Sequence, residues 1–130
     1  MDEIKVQAQI QPTEDIEKVR HAVENIFGTT LEQEVIGADT LLTCRARAKE
    51  NLVRLRTILQ RERIRNAARK VFLAGLRGNT ITFFLNKQVA YAGHVSFCEE
   101  SGESPLGAIR VQITTEQPLM LVDWIAPRSH

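Results

Sequence analysis

Four segments of this chain alternate apolar and polar residues with a period of two, the pattern of a β-strand that buries one face. They are IKVQAQI at 4–10, LLTCRAR at 41–47, TITFFL at 80–85 and AIRVQIT at 108–114. Blocks with the apolar spacing of helices lie between and after them. Because the strands do not alternate strictly with helices, we predict an α+β fold. Residues 1–130 should form a single domain, a mostly antiparallel sheet with helices packed on one face and water on the other.

Local signals add detail to this layout. Thr13 is the expected N-cap of a helix that Gly28 ends, and LEQEVI should form a strand that turns at 37–39 into LLTCRAR. The block 50–76 predicts two helices or one bent helix. After TITFFL, we expect a hairpin turn at NKQ and a return strand through VAYAGHVSFC. A polar loop, a last strand and a short C-terminal helix that opens at Pro118 complete the prediction.

The composition is that of a globular protein that needs neither disulfides nor a structural metal. Of 130 residues, 43% are hydrophobic, enough for a buried core. The N-terminal MDEIKVQAQI carries acids where a secretory signal carries cations, and no segment approaches ~18 consecutive apolar residues. We therefore expect a complete cytoplasmic chain with no membrane contact. Cys44 and Cys98 are too far apart for a zinc site, and whether they form a disulfide stays open.

The net charge of +1 hides a strong asymmetry along the chain. Residues 1–44 contain nine acids and three bases, for a net charge of −6. Residues 45–77 contain two acids and eleven bases, for +9, and residues 78–130 contain five acids and three bases, for −2. Such a concentration of cations is an argument about partners, because a strong field attracts ions of the opposite sign.

The densest basic stretch is RERIRNAARK at 61–70. On one continuous helix, Arg61, Arg65 and Arg69 would follow each other at every fourth position, while Arg63 and Lys70 would lie along the other edge. Like charges at that spacing repel by about 0.2–0.5 kcal/mol per pair, and a polyanion would relieve this repulsion. Three interpretations remain open: RNA phosphates, an acidic protein surface, or neutralisation by acids elsewhere in the same fold.

Several motifs of this sequence resemble an uncharacterised archaeal family, protein family 0201. They are FFLNKQVAYAGHVSF at 83–97, SPLGAI at 104–109, RIRNAARK at 63–70 and DWIAPRS at 123–129. The resemblance runs from QPTED at 11–15 almost to the C-terminus, and its most specific part is LNKQ followed by SPLG. Ala108 departs from the usual proline, and His94 stands where a lysine or arginine is common.

The resemblance implies a function and a fold. Family members are predicted RNA-binding proteins, sometimes suspected exosome-associated subunits, with a fold similar to large-subunit ribosomal protein five. Two of the shared motifs also have simple structural interpretations. Asn86 to Gln88 could carry donors to phosphate or could form a turn, and SPLG could hold an anion or serve as a rigid turn.

No motif for catalysis or cofactor binding is present. The three histidines, at 21, 94 and 130, are not at metal-ligand spacing, and the glycines form neither a P-loop nor a dinucleotide fingerprint. Glu99, Glu100 and Glu103 are interpreted as a solvated loop, with a metal cluster as the alternative. We predict a protein that is not an enzyme and that has no cofactor or metal.

The sequence thus predicts an RNA-binding protein that holds phosphates through a basic helix. The alternative is an assembly subunit whose basic helix docks an acidic protein surface, such as an exosome-like partner or the first helix of a second copy in a homodimer. On the open sheet face Phe84 is the one aromatic residue on which a base could stack. The predicted nucleic-acid-binding residues are Arg45, Arg47, Arg61, Arg65, Arg69, Lys70 and Lys87.

Overall fold

The computed structural model describes residues 2–37, 40–47, 49–99 and 107–128. Its strands are β1 Glu3–Gln9, β2 Glu32–Ile36, β3 Leu41–Ala46, β4 Leu76–Arg77, β5 Thr80–Asn86, β6 Phe97–Cys98 and β7 Ala108–Thr114. Its helices are α1 Ile16–Phe27, α2 Val53–Arg61, α3 Arg65–Ala74, α4 Lys87–Tyr91 and α5 Pro118–Ile125, and a 3-10 turn, Lys49–Leu52, precedes α2. The predicted turn at 38–39 and the loop with the SPL residues, at 100–106, lie outside the described residues.

The strands form one antiparallel sheet in the order β2-β3-β1-β7-β5-β4, and β6 also pairs with β5. In the central strand β1, Val6 lies opposite Cys44 of β3 and Val111 of β7. The period-two alternation therefore places the apolar residues of neighbouring strands in rows on the same face. This arrangement confirms the predicted α+β fold.

The helices pack against the apolar face of the sheet. Phe72 of α3 contacts Phe83 of β5, with ring centroids 4.8 Å apart, and both rings are within 6 Å of Phe97. Phe27 of α1 is fully buried in the same core. Because burial of one such side chain stabilises a fold by roughly 1.5–3 kcal/mol, these contacts fix the helices firmly on the sheet.

The boundaries of α1 show how it is held at both ends. Its N-cap is Asp15, whose carboxylate accepts a hydrogen bond from the Glu17 N–H at 2.9 Å, so the prediction of Thr13 as the cap is wrong by two residues. The helix ends before Gly28, as predicted, because the φ of 85° at this position suits glycine. The buried Asn51 side chain donates to the Phe27 carbonyl at 3.0 Å and satisfies one of the last helix carbonyls.

The basic stretch forms two helices, because the chain turns sharply between α2 and α3. Arg63 lies at this turn with a φ of 57°, in the left-handed region that non-glycine residues rarely adopt. Arg61 therefore belongs to α2, while Arg65 and Arg69 belong to α3. The prediction of one continuous row through these three arginines is wrong.

The predicted hairpin after β5 is also wrong. Asn86 caps a helix, α4, by accepting a hydrogen bond from the Val89 N–H at 3.1 Å, so the chain does not turn back as a strand. Only the end of the predicted return strand pairs with β5, as β6. His94, within the predicted return strand, instead lies after α4 with its Nδ1 2.9 Å from Glu62 Oε2.

No disulfide joins Cys44 and Cys98. The registers place Cys44 opposite Val6 on the helix-covered face and Cys98 opposite Phe84 on the other face. Burial, with a contribution from the nearby Glu24 carboxylate, raises the pKa of the Cys44 thiol to about 12. This thiol stays protonated near neutral pH and is a core residue rather than a nucleophile.

Candidate nucleic-acid interface

The turn between α2 and α3 gathers basic and amide side chains around a cleft of about 350 Å³. Gln60, Arg63, Arg65 and Asn66 line the cleft, and Arg61 is exposed beside it. We call these five residues the arginine corner. Guanidinium groups and amides are among the side chains that contact phosphate oxygens in protein–nucleic acid interfaces.

The backbone adds to the positive potential of the arginine corner. Ile64, the N-cap of α3, makes no side-chain capping hydrogen bond. The first N–H groups of a helix carry a partial positive charge, which a capping side chain would otherwise partly offset. The start of α3 therefore reinforces the field of Arg63 and Arg65 at the same place.

The acidic first third of the chain does not neutralise this corner. Among the described residues, no carboxylate lies within 4 Å of Arg63, Arg65 or Lys70. Arg61 Nη2 is 3.5 Å from Glu62 Oε2, an oxygen that also lies next to His94. An exposed pair of this kind contributes little to stability, so Arg61 stays available to a ligand.

Arg69, a predicted phosphate contact, is engaged within the fold. Its Nη1 lies 2.6 Å from Asp123 Oδ1 and 3.4 Å from the Ala126 carbonyl oxygen. The Arg69 side chain is only 17% exposed, and these contacts tie α3 to α5. Lys70, the next residue, is exposed.

Arg45 and Arg47 precede α2, whose nine residues span about 13 Å, whereas the arginine corner follows its C-terminal end. Both are exposed, and they share a cleft of about 410 Å³ with Glu3, Glu32 and Glu50. Glu32 is directly opposite Arg45 in the β2–β3 register. The structure therefore does not bring these two arginines together with the arginine corner, and carboxylates moderate their charge.

Lys87 is fully buried, which contradicts its predicted role at an exposed hairpin tip. Its Nζ lies 3.0 Å from Glu14 Oε1 and donates to the Gln9 carbonyl oxygen at 2.5 Å. Because α4 replaces the hairpin, the lysine points inward and cannot meet a phosphate. The motifs LNKQ and QPTED thus meet in a buried ion pair.

The Glu14 carboxylate is the centre of this buried junction. It also accepts hydrogen bonds from the Tyr91 hydroxyl and, at 2.9 Å, from the Gln11 N–H. Burial alone would raise the pKa of Glu14, but the hydrogen bonds from Tyr91, Gln11 and Lys87 outweigh it and hold the pKa below its usual range. Burial and the bond to Glu14 raise the pKa of Tyr91. We call Gln9, Gln11, Glu14, Lys87 and Tyr91 the lysine junction.

Sequence reasoning missed Arg63, Gln60 and Asn66 as site residues. On one straight helix Arg63 lies away from Arg61 and Arg65, and only the left-handed turn brings it to the same cleft as Arg65. The sequence carries no glycine or proline at 62–64 to signal that turn. Phe84, by contrast, lies on the open sheet face as predicted, directly opposite Arg110.

The described residues contain no group of three histidine, cysteine, aspartate or glutamate side chains arranged to hold a metal ion. None of the helices in the described ranges has both the length and the apolar character for a membrane crossing.

Comparison with known proteins identifies relatives across the whole chain. A family model described as RNA binding matches residues 3–115. A UPF0201 protein of Saccharolobus islandicus is 39% identical over 132 residues, which cover 99% of this chain and 90% of the relative. The crystal structure of an uncharacterized UPF0201 protein has a TM-score of 0.85 and 33% identity, with 98% of this chain and 94% of the other covered. That of the Methanococcus jannaschii UPF0201 protein has a TM-score of 0.84 and 29% identity, with coverages of 98% and 95%. The predicted family is therefore confirmed, and the chain belongs to the archaeal UPF0201 family.

Proposed function

We propose that this protein binds RNA without catalysis and that the arginine corner holds the phosphates. One observation carries the proposal: Arg63 and Arg65 line the same cleft with no carboxylate within 4 Å among the described residues. Arg61 and Lys70, both exposed and both predicted from the sequence, are further cations of the same two helices. The family model described as RNA binding supports this choice of ligand.

The physical basis is the difference in electrostatic energy between the free and the RNA-bound arginine corner. Without a ligand, three guanidinium groups and an uncapped helix start repel one another. A phosphate removes that repulsion, accepts bidentate hydrogen bonds from the guanidinium groups and releases condensed counterions from the RNA. Such contacts carry no sequence information, so the corner should tolerate many RNA sequences.

The proposed phosphate-binding set differs from the set predicted by sequence. It keeps Arg61, Arg65 and Lys70 and adds Arg63. Arg69 is placed outside it because Asp123 holds its guanidinium, and Lys87 because it is buried. Arg45 and Arg47 are a separate cluster among carboxylates and supply a matched control.

The test is the salt dependence of RNA affinity for Arg63→Gln/Arg65→Gln against the wild type. Affinities for a single-stranded oligouridylate are measured by fluorescence anisotropy between about 50 and 200 mM salt. Each lost phosphate contact flattens the logarithmic slope by about 0.7, so the double variant should lose about 1.4. Arg45→Gln/Arg47→Gln removes the same charge elsewhere and should flatten the slope much less.

Two results would count against the proposal. If the wild type shows no RNA binding at low salt, the function itself is wrong. If the two double variants flatten the slope equally, the arginine corner is not the phosphate site. Competition by polyglutamate as strong as that by RNA would favour an acidic protein surface, such as a complex subunit or a second copy of this chain.

A further inference from the structure

The uncovered face of the sheet has an uneven distribution of charge. Its acids lie on β2, at Glu32 and Glu34, and at the first residue of β1, Glu3. The central part, across β1, β7 and β5, carries two neighbouring rows without a carboxylate. One row is Gln7, Arg110 and Phe84, and the next is Lys5, Gln112 and Thr82.

The first row combines two flat groups with an amide. Phe84 lies directly opposite Arg110, and Arg110 directly opposite Gln7. Directly paired residues of antiparallel strands have Cβ atoms only about 4.5–5.5 Å apart, so the two side chains leave the sheet side by side on the same face. Phe84 is half-buried and Arg110 is exposed, which leaves part of each available from the solvent side.

These groups have the chemistry that recognises an unpaired nucleobase. Bases splayed out of a strand stack on aromatic rings and on guanidinium planes, and they hydrogen-bond along their edges. The amides of Gln7 and Gln112 each supply donors and an acceptor for such edges. Lys5 in the second row adds a cation for the adjoining phosphate.

We infer that the row of Gln7, Arg110 and Phe84, with Gln112 beside it, binds an unpaired base of single-stranded RNA by stacking on Phe84 and Arg110. This inference rests on the proposed function, because it assumes that RNA is the ligand. It adds a second contact surface, on the opposite side of the sheet from the helices, and a preference for unpaired over duplex RNA. A-form duplex keeps its bases stacked inside, so it offers this row nothing to stack.

The test compares Phe84→Leu with Phe84→Tyr. Leucine keeps an apolar side chain at this half-buried position but has no aromatic face, whereas tyrosine keeps the ring. For a single-stranded oligouridylate, Phe84→Leu should weaken binding by about 5- to 140-fold, the range for one lost base stack, while Phe84→Tyr should stay close to wild type. Affinity for a fully paired RNA duplex should be the same in all three proteins.

A second variant and a spectroscopic readout guard against a folding defect. Arg110→Gln changes an exposed side chain and should also weaken oligouridylate more than duplex. The fluorescence of an oligonucleotide with 2-aminopurine should fall on binding to the wild type and to Phe84→Tyr. It should fall much less on binding to Phe84→Leu. If Phe84→Leu fails to fold, Arg110→Gln serves for the same comparison.

The outcomes separate this inference from the proposed function. Two results would overturn the base-binding row on the sheet. One is equal affinity of the Phe84 variants for oligouridylate, and the other is a loss of affinity that is the same for single-stranded and duplex RNA. The effect of Arg63→Gln/Arg65→Gln on the salt slope would stand in either case. Absence of any RNA binding by the wild type would overturn both.

Discussion

The arginine corner and the lysine junction both hold cations from conspicuous motifs, yet they differ in every physical respect. Lys87 is fully buried, and its ammonium group is satisfied by Glu14 and the Gln9 carbonyl. Arg63 is exposed, lies in an unfavourable backbone conformation and has no carboxylate within 4 Å among the described residues. A buried, paired cation is a fixed part of the fold that depends on its partner, whereas an exposed, unpaired one is available to a ligand. The comparison teaches that a basic motif indicates function only once its burial and its partners are known.

The strongest test of this contrast is Glu14→Gln. The substitution leaves the Lys87 ammonium group buried without its carboxylate, and breaking a buried pair in this way costs about 3–5 kcal/mol. Urea unfolding should show that loss. Arg61→Gln, an exposed control in the arginine corner, should change the free energy of unfolding by less than about 0.5 kcal/mol. Similar losses in the two variants would contradict the distinction between the two regions.

The second prediction follows from the lowered pKa of Glu14. The pKa of Glu14 is lower in the folded than in the unfolded protein, where it is about 4.3 for glutamate. Such a carboxyl group contributes its full stability at pH values above the unfolded pKa. The contribution is lost as the pH falls through the folded pKa. The stability difference between wild type and Glu14→Gln should therefore be full near neutral pH and shrink in acid below that unfolded value. Urea unfolding over a pH series checks this, and a difference independent of pH would show that the carboxylate charge is not responsible.

At the arginine corner, Arg63→Gly should raise the free energy of unfolding, whereas Glu14→Gln lowers it. Glycine accepts a φ of 57° without the clash that a Cβ causes, but it also gains more freedom in the unfolded chain. The net effect should be a gain of about 0.5–1 kcal/mol in the free energy of unfolding, together with weaker RNA binding. The control Arg63→Ala keeps the strain and should lose RNA affinity without gaining stability. A destabilised Arg63→Gly would mean that the arginine side chain supports the fold.

The smallest expected effect concerns Arg69, which is less buried than Lys87 but, unlike Arg63, has a carboxylate partner among the described residues. Asp123→Asn removes its partner, and because Asp123 is 64% exposed the pair contributes only about 0.2–1 kcal/mol. The released guanidinium group should then reach RNA and steepen the salt slope by up to about 0.7. An unchanged slope with unchanged stability would show that Arg69 belongs to neither function nor fold.

The sheet could be predicted from sequence, because each long strand buries one face. Its apolar residues therefore recur at every second position, which is visible in the sequence. The C-terminal end of α1 and the start of α5 were nearly as clear, since glycine marks the first and proline the second. The helix α4 was not predictable in the same way: Asn86 is equally suited to a turn and to an N-cap, and VAY has the composition of a strand.

The candidate site was predictable in composition but not in geometry. Exposure of Arg61 and Lys70, and partial exposure of Arg65, follow from their place beside an apolar stripe. The burial of Lys87 depends on Glu14, 73 residues earlier in the chain, and no local pattern reports that contact. Two further features also depend on packing between helices that no local pattern reports. They are the ion pair of Arg69 with Asp123 and the left-handed turn at Arg63.

The most direct measurement of the central claim is amide hydrogen exchange with and without a single-stranded oligouridylate. The first N–H groups of α3 lack a side-chain cap, so they should exchange quickly in the free protein and slow when a phosphate binds the arginine corner. We expect RNA to protect residues 60–70, while exchange around the lysine junction stays unchanged. Protection at residues 9–14 and 87–91 with none at 60–70 would contradict the account.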